Sequence, residues 1–130
     1  MSTNAPTAWG PVQDVAYHLE RAITKEVSAV LLLGGGLVPQ ARAVLREAGD
    51  FLQMAVKDVE ALPVKGKKRK AAQAEVLKRL KAAEKKGIDA AKLLFQEKIA
   101  EKDVSAICAS IGDAITREME ALNSLLALRE

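Results

Sequence analysis

Ten cations fall between Lys65 and Lys86: Lys65, Lys67, Lys68, Arg69, Lys70, Lys78, Arg79, Lys81, Lys85 and Lys86. Only Glu75 and Glu84 oppose them, so this stretch carries +8 of a chain whose total is +3, and the remainder is −5. Cations confined in this way can neutralise several phosphates, with release of their counterions. Ala71, Ala72, Ala74 and Ala82 stand between them and would let a nucleic-acid backbone approach closely. No aromatic residue interleaves with the lysines, so base stacking is not expected. No helix-turn-helix or RNA-module signature is present either. Binding here would read charge and shape, with little readout of sequence. The competing explanation is a solvated, lysine-rich face.

Other reactive side chains are sparse. His18 is the single histidine and has no evident nucleophile beside it in sequence. Cys108 is the single cysteine; it lies on an apolar stripe with Val104, Ile111 and Ile115 and reads as a buried thiol. One His and one Cys do not make a zinc site, and no metal or cofactor is expected. The segment "GGGLVPQ" lacks the Gly-Lys-Ser/Thr ending of a phosphate loop and follows a helical pattern, not a strand. Glu47, Asp50, Asp58 and Glu60 are spread over a helix surface. An enzyme is not expected.

The elements that carry these residues read as helices. Hydrophobic residues make up 49% of the 130-residue chain and aromatics only 3%, so Ala, Val, Leu and Ile must build the core. Residues 1–10 read as a flexible leader, with Trp9 free to dock on the rest, and residues 11–130 as one helical domain. Val12, Val15, Ala16, Leu19, Ala22, Ile23, Val27, Val30 and Leu31 recur at helical steps after Pro11. Gly34, Gly35 and Gly36 stop that helix. A second helix starts near Pro39 and ends before Pro63. A third begins after the basic loop 64–69 and is expected to end at Gly87. With Val76 at zero, Lys78, Lys85 and Lys81 fall at about 200°, 180° and 140°, behind the apolar side. Asp89 is the expected N-cap of the last segment. That segment is one helix to about Leu128, or two meeting near Lys102–Asp103.

The sequence thus predicts an all-α, antiparallel bundle of four or five helices. Surplus apolar residues (Met54, Val56, the run "AVLLL", and in the last segment Ile107, Ile111, Ile115, Leu122, Leu125 and Leu126 with Ala106, Ala109 and Ala114 alongside) imply a homo-oligomer or a protein partner. The N-terminal residues lack the pattern of a signal peptide, and no apolar run is long enough for a membrane span. The expected role is a cytoplasmic, non-enzymatic, oligomeric accessory protein that binds nucleic acid through the ten cations. The alternative is a structural or adaptor helical protein (a scaffold, a virion component or a partner-binding module).

Overall fold

A computed structural model describes residues 10–128 of the chain. Four α-helices follow one another: α1 (Gly10–Gly34), α2 (Val38–Glu60), α3 (Lys67–Leu94) and α4 (Glu101–Ser124), the last running into a 3-10 turn at Leu125–Leu128. There is no strand among the described residues. The leader expected at 1–10, and Trp9 with it, lies outside the described residues except for Gly10, which already belongs to α1.

α1 lies along α2 and α3 along α4, and these two hairpins meet through α2 against α3 and α1 against α4. The ion pairs give the direction of each hairpin. His18 meets Asp58 near one end of α1 and α2, while Lys25 meets Glu47 at 2.7 Å further along. Arg79 reaches Ser124, and Lys86 reaches Asp113. Both hairpins are therefore antiparallel.

The turn between α1 and α2 follows from its glycines. Gly36 has φ 77°, a conformation costly for any residue with a Cβ. The Leu37 N–H donates to the Leu32 carbonyl at 2.9 Å and the Gly36 N–H to that of Leu33 at 3.0 Å. That pair of bonds closes the last turn of α1 as a Schellman motif. Pro63 stands just beyond the Ala61 C-cap of α2. The Gln73 side-chain amide holds the end of α2 by donating to the carbonyls of Val59 at 2.7 Å and Leu62 at 3.3 Å.

α3 departs from the sequence reading. It runs through Gly87 and Asp89 to Leu94, so Gly87 ends no helix and Asp89 caps none. The reason is the buried stripe Val76, Leu80, Ala83, Ala90 and Leu94, which keeps helical register across Gly87. Packing along that stripe outweighs the roughly 1 kcal/mol cost of one interior glycine. The break falls at residues 95–100, so residues 89–128 form neither one helix nor two meeting at Lys102–Asp103. Arg42 of α2 caps the end of α3, its guanidinium donating to the carbonyls of Leu94 and Gln96, each at 2.8 Å. Asp103 is the third residue of α4, not its N-cap, and its carboxylate accepts the Ala100 N–H at 3.2 Å.

The buried apolar side chains form two clusters. One joins Val15, Leu19, Leu52, Val59, Val76 and Leu80 with the end of α4. The other joins Leu33, Leu45, Leu94, Ile107 and Ile111. Along α1 the residue between the clusters is Glu26, buried at the position where the spacing from Ala22 to Ala29 calls for an apolar side chain.

Candidate functional site

The basic segment occupies the connection after α2 and most of α3. Gly66 precedes α3 with φ 89° and ψ 151°, which suits glycine alone. No side chain caps this helix start, and its first turn holds no acidic residue. Lys67, Lys68, Arg69 and Lys70 occupy that turn instead. Cations there oppose the helix dipole, whose positive end is the N-terminus.

The ten predicted cations divide into two groups. Lys65, Lys67, Lys68, Lys70, Lys78 and Lys85 are exposed, and among the described residues none has a carboxylate within 4 Å. The other four are engaged with the bundle. Arg69 donates to the Leu128 carbonyl at 2.8 Å. Arg79 pairs with Glu75 at 3.3 Å and donates to the Ser124 hydroxyl at 3.3 Å. Lys86 pairs with Asp113 at 3.4 Å, and Lys81, itself exposed, reaches Glu60 only at 3.9 Å. Arg69, Arg79 and Lys86 thus tie α3 to the α4 end of the bundle.

One cation was hidden from the sequence reading. Because α3 continues past Gly87, the exposed Lys92 joins the outer line of the helix. At 100° per residue Lys67, Lys78, Lys85 and Lys92 lie within about 40° of one another. The line from Lys67 to Lys92 is about 37 Å long at 1.5 Å per residue. Its signal in the sequence is the seven-residue step from Lys85 to Lys92, discarded once a helix end is placed at Gly87.

Elsewhere, His18 Nδ1 meets Asp58 Oδ2 at 2.5 Å, with Phe51 and Tyr17 close to the ring. A carboxylate of α2, far off in sequence, is thus brought against His18. Cys108 is half-buried and packs against the cluster around Ile107. Among the described residues no three His, Cys, Asp or Glu side chains gather as a metal site, and no helix is long and apolar enough to cross a membrane.

The sequence reading also missed two carboxyls. Glu26 is 3% exposed and Glu118 is fully buried. They come from α1 and α4 and are close enough to perturb one another's protonation. Among the described residues, Glu26 Oε1 and both Glu118 oxygens are buried with no hydrogen-bond partner. Two carboxyl groups taken out of water beside one another disfavour the doubly ionised state. Burial drives both upward: Glu26 above its ordinary value, and Glu118 to about 11, with the Glu26 charge adding to the rise. Glu26 also lines a cavity of about 320 Å³ between α2 and α3, with Leu45, Leu52, Glu84, Ile88 and Phe95 among its other walls. The cavity lies at the seam between the two apolar clusters.

No known protein family, characterised protein or solved structure matches this chain.

Proposed function

We propose that the protein is a non-enzymatic, self-associating accessory protein of the cytoplasm that binds nucleic acid electrostatically along α3. The observation that carries this reading is the set of exposed lysines with no acidic partner among the described residues: Lys65, Lys67, Lys68, Lys70, Lys78 and Lys85, extended by Lys92. Four of them crowd an uncapped helix start that repels cations, an arrangement that a bound polyanion relieves. The line along α3 is about as long as one turn of duplex, 34–36 Å. Alanines flank it, so contact is made with phosphates and not with bases.

Arg69 is left intact in the test, because it donates to the Leu128 carbonyl. The variant K65Q/K67Q/K68Q/K70Q removes four exposed charges and, among the described residues, no ion pair. Gel-shift titrations of a 20-base-pair duplex are expected to show binding that weakens steeply between about 50 and 200 mM salt. The variant is expected to keep its helical circular dichroism and to lower the slope of log affinity against log salt by up to about 3.6. Absence of binding at low salt, or binding indifferent to salt, refutes the reading.

A second reading is favoured by a different surface. Tyr17, Val27 and Leu31 are 56%, 44% and 71% exposed on the outward side of α1. If that face is the functional one, the protein is a structural or adaptor module and the lysines only solubilise it. It then forms a discrete assembly by light scattering that nuclease leaves unchanged.

A further inference from the structure

No lysine lines the cavity between α2 and α3. Its walls are largely apolar: Leu45 and Leu52 from α2, Ile88 and Ala91 from α3, and Phe95 just beyond. Its volume, about 320 Å³, lies within the range of small-molecule sites. Glu26, 3% exposed, is one of the lining residues, and its Oε1 has no hydrogen-bond partner among the described residues. Glu84 adds a second acidic group to the wall. The one cation of the lining is Arg46, which is exposed and has its guanidinium 5.2 Å from the centre of the Phe95 ring.

We propose that this cavity binds a small organic cation, an alkyl- or arylamine whose apolar body lies between Leu45, Leu52, Ile88 and Phe95 and whose ammonium is held by Glu26. The chemistry of the lining selects among the alternatives. An ammonium brings three donors and no acceptor, to a lining that sets two carboxyl groups, Glu26 and Glu84, against one guanidinium, Arg46, and one amide, Gln53. An anion would meet Glu26 and Glu84. A metal ion would lack the three or more ligands it needs, since no such group is gathered among the described residues. A purely apolar ligand would leave the Glu26 oxygen as unsatisfied as before.

The glycines of the lining point the same way. Gly49 of α2 and Gly87 of α3 both border the cavity, and a Cβ added at either would meet no atom within 4 Å. No neighbouring group requires them to be glycine, and filling either position narrows the space directly.

The test uses the full chain and a panel of amines: butylamine to octylamine, benzylamine and 2-phenylethylamine, each set against the alcohol of the same carbon skeleton. Calorimetric titration at pH 7 is expected to show at least one amine binding tenfold or more tighter than its alcohol and raising the melting temperature. E26Q is expected to reduce that amine to the affinity of its alcohol, and G87L, which fills the cavity, to abolish binding of both. K65Q/K67Q/K68Q/K70Q is expected to bind the amine unchanged, which separates this site from the nucleic-acid surface. The proposal is overturned if no amine in the panel outbinds its alcohol, if E26Q leaves the preference intact, or if a folded G87L binds as the wild type does.

Discussion

Glu26 and Glu118 place two carboxyls in an interior otherwise built of Ala, Val, Leu and Ile, and they tie stability to pH. Both hold protons more tightly in the fold than in the unfolded chain, where the ordinary value is 4.5. The folded state therefore carries more protons than the unfolded state from about pH 4.5 upward, to about 11 for Glu118. Their contribution is complete below pH 4.5 and declines as pH rises, by up to about 1.4 kcal/mol per pH unit for each proton. E118Q keeps the shape, can donate a hydrogen bond and cannot ionise. Urea denaturation at pH 8 is expected to find E118Q about 1–3 kcal/mol more stable than wild type, with the gap closing toward pH 4.5. A gap that does not change with pH would show that the pair is not protonated in the fold. These residues were legible by position and not by type. Glu26 falls four after Ala22 and three before Ala29, and Glu118 holds the same register between Ala114 and Ala121. Reading a carboxylate as a surface residue sent the expected stripe of α1 toward Val27 and Leu31, which are exposed.

Glycine has three meanings along these helices, and the sequence distinguishes them only in part. Gly36 stops α1 because its φ of 77° is needed to close the turn. Gly87 stops nothing, because the stripe from Val76 to Leu94 continues on either side of it. Gly49 sits inside α2 and borders the cavity. Opposite effects are therefore expected from the same substitution. G36A should lower stability by about 1–2 kcal/mol through left-handed strain. G87A should raise it by up to about 1 kcal/mol, since alanine is the better helix former and its Cβ meets open space. Thermal denaturation of the two variants side by side measures both. The starts and ends of α1 and α2 were legible because Pro11, the Gly34–Gly36 run, Pro39 and Pro63 each act through local backbone geometry. The end of α3 was not, because it is set by tertiary contacts: Arg42 reaches from α2 to the carbonyls of Leu94 and Gln96. Nothing within the local sequence around residues 87–95 announces that cap.

At the scale of the molecule, two antiparallel hairpins meet over a core divided into two apolar clusters, with a cavity at their seam. Much of the apolar surplus that suggested self-association is absorbed in this arrangement: Val56 packs on the first cluster, and Val30 and Leu32 on the second. What remains outside on α1 is Leu31, the most exposed of the large apolar residues, with Val27 one turn before it and Tyr17 further back on the same side. Under the proposed self-association, this face would pair weakly on its own, because a single helix surface offers less area than stable interfaces bury. Association that is weak in isolation becomes consequential on a shared duplex, where each bound copy raises the effective concentration of the next. The double variant V27E/L31E is therefore expected to remain folded and to lose concentration-dependent light scattering. It should bind a 20-base-pair duplex with nearly wild-type affinity, yet a duplex of several hundred base pairs at least tenfold more weakly. Equal loss on both lengths would mean that the α1 face touches nucleic acid itself, and no loss on either would mean that the lysines of α3 act one molecule at a time.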